Sequence, residues 1–291
     1  MSELEDVYGV YEEIEKREYN KEDYAEYKKE EKKQIYELMD SEAQKVGEDV
    51  NEFKKYLDNQ SKFGKYSVGN VLLITAQMPQ AMELKDLNSW ANEKAYKRKF
   101  EKPVKIFEPK DSYMREDGSI VTNYNVKNVY DVSQVNPRRT INRIKFNDKI
   151  LLKILLNSSL STIKVVDEIP NTEKKAFYDL NSNTLFVARR ANTPDIFYEI
   201  TEALGKQEIG EKDIKDVNKA YCVSYMICKK YDIPTEKFDF SEIMSDFNGL
   251  DPKAIRAELE PIKMAIENIE TRMSEQVKNI IIETKLKGKV R

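Results

Sequence analysis

Thr193-Pro194-Asp195-Ile196-Phe197-Tyr198-Glu199-Ile200-Thr201-Glu202-Ala203-Leu204-Gly205 is the stretch that says most about the fold of this chain. Thr193 suits an N-cap, Pro194 the first helical position and Asp195 the first turn, where free backbone N–H groups favour an acidic side chain. Gly205 suits the residue that closes a helix. Ile196, Ile200, Ala203 and Leu204 recur at three- and four-residue spacing and make an apolar face, with Asp195, Tyr198, Glu199 and Glu202 on the face beside it. A helix ending at Gly205 is expected.

The second face carries a register with known chemistry. In His-Glu-x-x-His, two imidazoles four residues apart bind zinc and the glutamate acts as base for the metal-bound water. Here the same positions read Tyr198, Glu199 and Glu202. The 291-residue chain has no histidine at all, which excludes Ser-His-Asp, Cys-His and His-ligated zinc chemistry. Its two cysteines, Cys222 and Cys228, lie six residues apart on one predicted helix, roughly 9 Å at about 1.5 Å rise per residue, beyond reach of a disulfide. Asp195, Glu199 and Glu202 could hold a hard cation only from one short helix; a solvated helix face is the simpler reading.

Phe177 to Val187 reads as a hairpin turning at Asn181 to Asn183, Ile163 to Val166 as a strand, Lys149 to Asn157 as a helix and Ala220 to Tyr231 as another. Val129 to Val132 is strand-like, as is Asp131 to Gln134, before a polar stretch, NPRRTINR. Asp117-Gly118 is a turn signal between strand-like runs, and a domain junction is placed there. Upstream, Asn70 to Gln77 reads as a short buried helix closed by Pro79, Leu84 to Lys94 as a second, and Val104 to Phe107 as a strand. Short strands alternating with helices argue for an α+β fold.

Charge is uneven. Residues 1–60 carry 19 acidic and 10 basic side chains, whereas residues 61–110 carry 10 basic and 5 acidic; the whole chain nets −3. The acidic opening is rich in tyrosine (Tyr8, Tyr11, Tyr24, Tyr27, Tyr36) and reads as two helices. Such a run is usually a solvated helix face; the sharper alternative is that it docks on a basic partner surface or mimics nucleic-acid charge. The basic segment gathers Lys94, Lys97, Arg98, Lys99, Lys102 and Lys105 around Tyr96 and Phe100. Cations that neutralise phosphates, beside rings on which bases stack, suit single-stranded nucleic acid, although such rings can equally pack inward. At the other end, Asp251-Pro252 opens a long amphipathic helix with Ile255, Leu259, Ile262, Ile266, Ile269, Met273, Val277 and Ile280 in its stripe, kinked or restarted near Pro261, a candidate oligomer or partner contact before a basic tail at residues 285–291. No run is long and apolar enough for a membrane span and no signal-peptide pattern opens the chain, so a cytoplasmic protein without a membrane partner is expected.

Tyr66-Ser67-x-x-Asn70-x-Leu72-Leu73-Ile74, then Gln77-x-Pro79, then Trp90 and the basic loop resemble the N-terminal, single-stranded-DNA-associated domain of ArdC-type antirestriction proteins. The Asp131 to Gln134 strand, the Tyr178-Asp179 hairpin and the 198–202 register resemble that family's C-terminal metallopeptidase-like domain, related to the ImmA/IrrE zincins. The resemblance implies a third, carboxylate ligand near the start of the next helix, where Tyr221 stands. It therefore implies three segments: an acidic helical one at 1–60, a DNA-binding-like domain at 61–125, and a degenerate zincin-like domain with the C-terminal helix at 126–291. Tyr198, Glu199, Glu202 and Tyr221 would be relics of a metal site, with no metal or cofactor and no catalysis. Tyr198 and Tyr221 could close the old cleft by stacking or by hydroxyl contacts to Glu199 or Glu202. Tyr66, Asn70, Trp90, Tyr96, Lys97, Arg98, Lys99 and Lys102 would contact DNA. The implied function is counter-defence by a phage or mobile element in a bacterial host, through binding a host defence nuclease complex, single-stranded DNA or both. The alternatives are a single-stranded-DNA-binding accessory protein of plasmid or transposon transfer and a metallopeptidase with atypical ligands.

Overall fold

The computed structural model describes residues 21–114, 120–137, 145–169, 173–189 and 195–289, and its mixture of helices and small sheets is α+β. Helix α1 (Lys21–Glu48) is followed after one residue by α2 (Val50–Lys62), because the Asp49 carboxylate caps the Asn51 and Glu52 N–H groups. The two expected helices are present, and α1 has a buried face: Ile35, Met39, Ala43 and Val46 join Phe53, Tyr56 and Leu57 of α2 in the main core. Even Glu31 is buried, 2.8 Å from the Lys28 ammonium and 2.7 Å from that of Lys105. Burial alone would raise its carboxyl, but the two ammonium groups hold it below the ordinary range. Tyr8 and Tyr11 lie outside the described residues.

Helix α3 (Val68–Gln77), capped by Ser67, is buried along most of its length. It runs beside β3 (Val104–Met114), which pairs antiparallel with β4 (Ile120–Asp131), which in turn pairs with β1 (Leu84–Lys85), giving the order β1-β4-β3. The outer edge of β3 therefore faces α3, and two amide side chains close it. Asn70 donates to the Phe107 carbonyl and accepts from its N–H, both at 2.8 Å; Gln77 does the same for Lys105 at 2.8 and 2.9 Å. Each amide satisfies one donor and one acceptor that a neighbouring strand would otherwise have to meet.

The helix expected over Leu84–Lys94 is shorter, α4 (Leu87–Asn92), because Leu84 and Lys85 pair with Asp131 and Tyr130 and Asp86 caps the Ser89 N–H. The boundary expected at 125/126 falls inside β4. Asp117-Gly118 lies outside the described residues. Asp131 to Gln134 is not a strand: β4 ends at Asp131, Val132–Gln134 is a 3-10 turn, and β5 (Val135–Asn136) pairs with β2 (Tyr96–Lys97). The cause is the buried Asp131 carboxylate, which accepts from the N–H groups of Met82 (2.6 Å), Glu83 (2.9 Å) and Ser133 (2.9 Å), while Gln134 accepts from the Asp131 N–H (2.8 Å).

Burial alone would raise the Asp131 carboxyl, but these N–H donors hold it below the usual carboxylate value. Its folded value is therefore lower than its unfolded one, near 3.9. Its contribution to stability is complete above the unfolded value and disappears as the pH falls through the folded one. Resistance of wild type to urea should accordingly fall on acidification below about pH 4, and Asp131→Asn should flatten that part of the curve. Equal slopes for the two proteins would refute the assignment.

The following segment, residues 138–144, lies outside the described residues. Beyond it come α5 (Asp148–Asn157), β6 (Thr162–Val166), β7 (Ala176–Asp179) and β8 (Thr184–Ala188). The β7–β8 hairpin is antiparallel as expected and β6 adds to β8 in parallel, giving the order β6-β8-β7. Helix α6 (Asp195–Ile209) packs on β7 and on α7 (Ile214–Lys230). Thr193 and Pro194 lie outside the described residues. Gly205 does not end α6: a Cβ there would meet the Ala220 carbonyl oxygen of α7 at 2.7 Å, so the glycine serves the helix crossing. The helix is followed instead by Gly210, at φ +91°. Cys222 and Cys228 are free and buried in α7; burial pushes the Cys228 thiol up to about 11. Helix α8 (Pro252–Lys289) runs without a break through Pro261 and buries its stripe from Ile255 to Met273. One cluster of buried apolar side chains thus extends from Ile35 of α1 to Met273 of α8. Among the described residues, no helix is long and apolar enough to cross a membrane.

Candidate functional site

The 198–202 register sits where α6 meets the segment after α7, and every polar group in it has an internal partner. The buried Tyr198 hydroxyl donates to the Pro234 carbonyl at 2.5 Å. Glu199 Oε2 accepts from the Lys175 and Ala176 N–H groups at 2.5 and 2.6 Å, fastening the start of β7 to α6. Glu202 is ion-paired with Lys206 at 3.1 Å and Lys174 at 3.7 Å. The Tyr221 hydroxyl accepts from the Asp239 N–H at 3.1 Å. Neither tyrosine hydroxyl takes the expected route to Glu199 or Glu202. The Phe238 ring lies against both instead, 5.8 Å from Tyr198 and 4.9 Å from Tyr221 between centroids.

Lys237, beside that ring, places its ammonium 3.3 Å from the Tyr198 ring centroid and within the field of Asp195, Glu199 and Glu202. Burial lowers its pKa and the carboxylates oppose the shift. The donor set does not suit a divalent metal. Burial raises both tyrosine hydroxyls and so keeps them protonated, and the carboxylates already bind backbone or lysine. Among the described residues no group of three His, Cys, Asp or Glu is placed to hold an ion. Phe238 and Lys237 were not legible beforehand, since the connection after α7 carries no periodicity.

The second set of sequence-derived residues divides. Trp90 is 0% exposed and its indole N–H donates to the Tyr130 carbonyl at 2.8 Å, so a base cannot stack on it. The Asn70 amide is occupied by Phe107, as above. Tyr66 is half-buried against Phe63, with ring centroids 5.8 Å apart. Lys105 is turned to Glu31.

Tyr96, Lys97, Arg98, Lys99 and Lys102 are brought together, and their loop stands on a small core of its own made of Trp90, Ala95, Tyr130, Val132 and Val135. Gln134 clamps the loop from both sides. Its carbonyl accepts from the Arg98 N–H at 3.0 Å, and its amide donates to the Lys102 carbonyl at 2.7 Å and to Glu101 at 3.3 Å. Arg98 pairs with Glu101 at 2.5 Å. At the tip, Phe100 is 96% exposed with φ +66°, a left-handed conformation that favours glycine; Tyr96 is 62% exposed. The rings that could have packed inward point out, on a loop that carries four cations.

No protein-family model and no curated protein matches the chain. Among solved structures it is similar to the antirestriction protein ArdC of plasmid R388. The metal-free crystal structure aligns at 14% identity and TM-score 0.44, covering 74% of this chain and 86% of that one. The Mn(II)-bound structure aligns at 13% identity and TM-score 0.45, covering 72% and 85%.

Proposed function

We propose that this is a non-catalytic counter-defence protein of the antirestriction type, working in the cytoplasm of a bacterial host by holding single-stranded DNA on the loop at 96–102. The observation that carries the reading is Phe100. A fully exposed ring, held in a costly backbone conformation on a clamped turn that also carries Lys97, Arg98, Lys99 and Lys102, serves no packing purpose and matches a stacking platform with phosphate-neutralising cations. The internally paired register at Tyr198, Glu199, Glu202 and Tyr221 supports the non-catalytic half of the proposal. Fluorescence anisotropy of a labelled single-stranded oligonucleotide with the full chain tests it. Binding should weaken as salt rises, with a log–log slope of about −0.7 per phosphate neutralised. Absence of saturable, salt-sensitive binding would rule it out.

A second reading, occupation of a host defence nuclease, is favoured by Tyr24 and Tyr27, which stand exposed among the acids at the start of α1. Pull-down of a defined nuclease complex by wild type, lost in Tyr24→Ala with Tyr27→Ala, would support it.

A further inference from the structure

A hollow of about 490 Å3 opens where the ends of α2 and α7 approach the distal half of α8. That volume lies within the roughly 300–1,000 Å3 of small-molecule sites. Lys62, Lys229, Lys230 and Lys278 line it, and among the described residues no carboxylate does. Lysines are common in the last turn of a helix, which accounts for the first three singly. It does not account for lysines of three separate helices meeting at one cavity, the fourth coming from within α8. The Lys62 ammonium donates to the Asn59 side-chain oxygen at 3.1 Å and to the Ala81 carbonyl at 3.4 Å, and Lys230 is committed to Glu270 at 2.5 Å; the Lys229 pair with Asp58 is long, 3.5 Å, and Asp58 also accepts the Tyr225 hydroxyl at 2.5 Å. Lys278 is exposed. The remaining wall is apolar and partly flat: Phe146 and Tyr231, with ring centroids 6.4 Å apart, beside Met82 and Val277. Ser61 and Ser274 add hydroxyls.

Lys229, held only by a long pair, and the exposed Lys278 suit a phosphate dianion. An aromatic wall with a methionine suits a planar body, and hydroxyls suit a ligand carrying heteroatoms. We infer that this hollow binds a nucleoside phosphate. The same chemistry is offered by a free mononucleotide and by the 5′-phosphorylated end of a DNA strand. None of the residues lining it belongs to the basic loop.

Calorimetric titration of the full chain with thymidine and adenosine monophosphates is the test, with thymidine and inorganic phosphate alone as controls. Saturable binding of a monophosphate is expected, each half alone binding at least about tenfold more weakly. Lys229→Glu with Lys278→Glu should weaken it by about tenfold or more; Lys278→Glu alone, at an exposed position, should weaken it measurably with the melting temperature unchanged. Phe100→Gly should leave it intact. Competition by 5′-phosphorylated but not 5′-hydroxyl oligonucleotides identifies strand ends as a source; no competition by either identifies the free nucleotide. Absence of binding at millimolar nucleotide, full binding by the double variant, or loss of binding in Phe100→Gly would each overturn the inference.

Discussion

Replacing Asn70 and Gln77 together by alanine should remove most of the protein's stability. Each amide closes two hydrogen bonds to the outer edge of β3, and each truncation leaves a backbone N–H and C=O at a largely covered edge without partners. A buried unsatisfied polar group costs about 1–3 kcal/mol, so each single variant should lose roughly 2–4 kcal/mol and the pair more. Against a typical total of about 5–15 kcal/mol this is a large share. Urea unfolding followed by circular dichroism measures it. The same variants separate structure from recognition at Asn70. DNA affinity per mole of folded Asn70→Ala should equal that of wild type; a large loss in the folded protein would return Asn70 to the DNA contacts.

Reversing Lys97, Arg98 and Lys99 to glutamate should remove most of the salt-sensitive part of DNA binding. Three phosphate contacts removed from a single strand lower the log–log salt slope by about 2, and at low salt the affinity should fall on the order of a hundredfold. Phe100→Gly isolates the ring from the charges. Base stacking contributes about 1–3 kcal/mol, so binding should weaken roughly five- to 150-fold. Stability should stay level or rise by up to about 1 kcal/mol, because glycine relieves the left-handed backbone cost while adding freedom to the unfolded chain. Binding and stability moving in opposite directions is a result that a ring present only for packing could not produce.

Local chemistry decides several elements. The apolar spacing of α6, the hairpin around Asn181 to Asn183, the buried helix ending at Gln77 and the stripe of α8 all follow from side chains within a few residues of one another. Elsewhere a distant segment decides. Gly205 looks like a helix stop until α7 is laid across it, and Asp131 to Gln134 looks extended until the N–H groups of Met82 and Glu83 reach the carboxylate. Trp90 and Asn70 are of the right types for nucleic-acid contacts, and no spacing in the chain shows that one is enclosed and the other spent on Phe107. The direction of Phe100 was equally open, since a basic loop with two rings is consistent with both inward and outward packing.

The Gln134 clamp has a kinetic consequence. A loop tied at Arg98, Glu101 and Lys102 has little freedom left to lose when a strand arrives, so the ordering cost that weakens most loop-mediated association is small here. Encounter should then be governed by electrostatic steering toward the cations, and differences among strand sequences should show almost wholly in how slowly each one leaves.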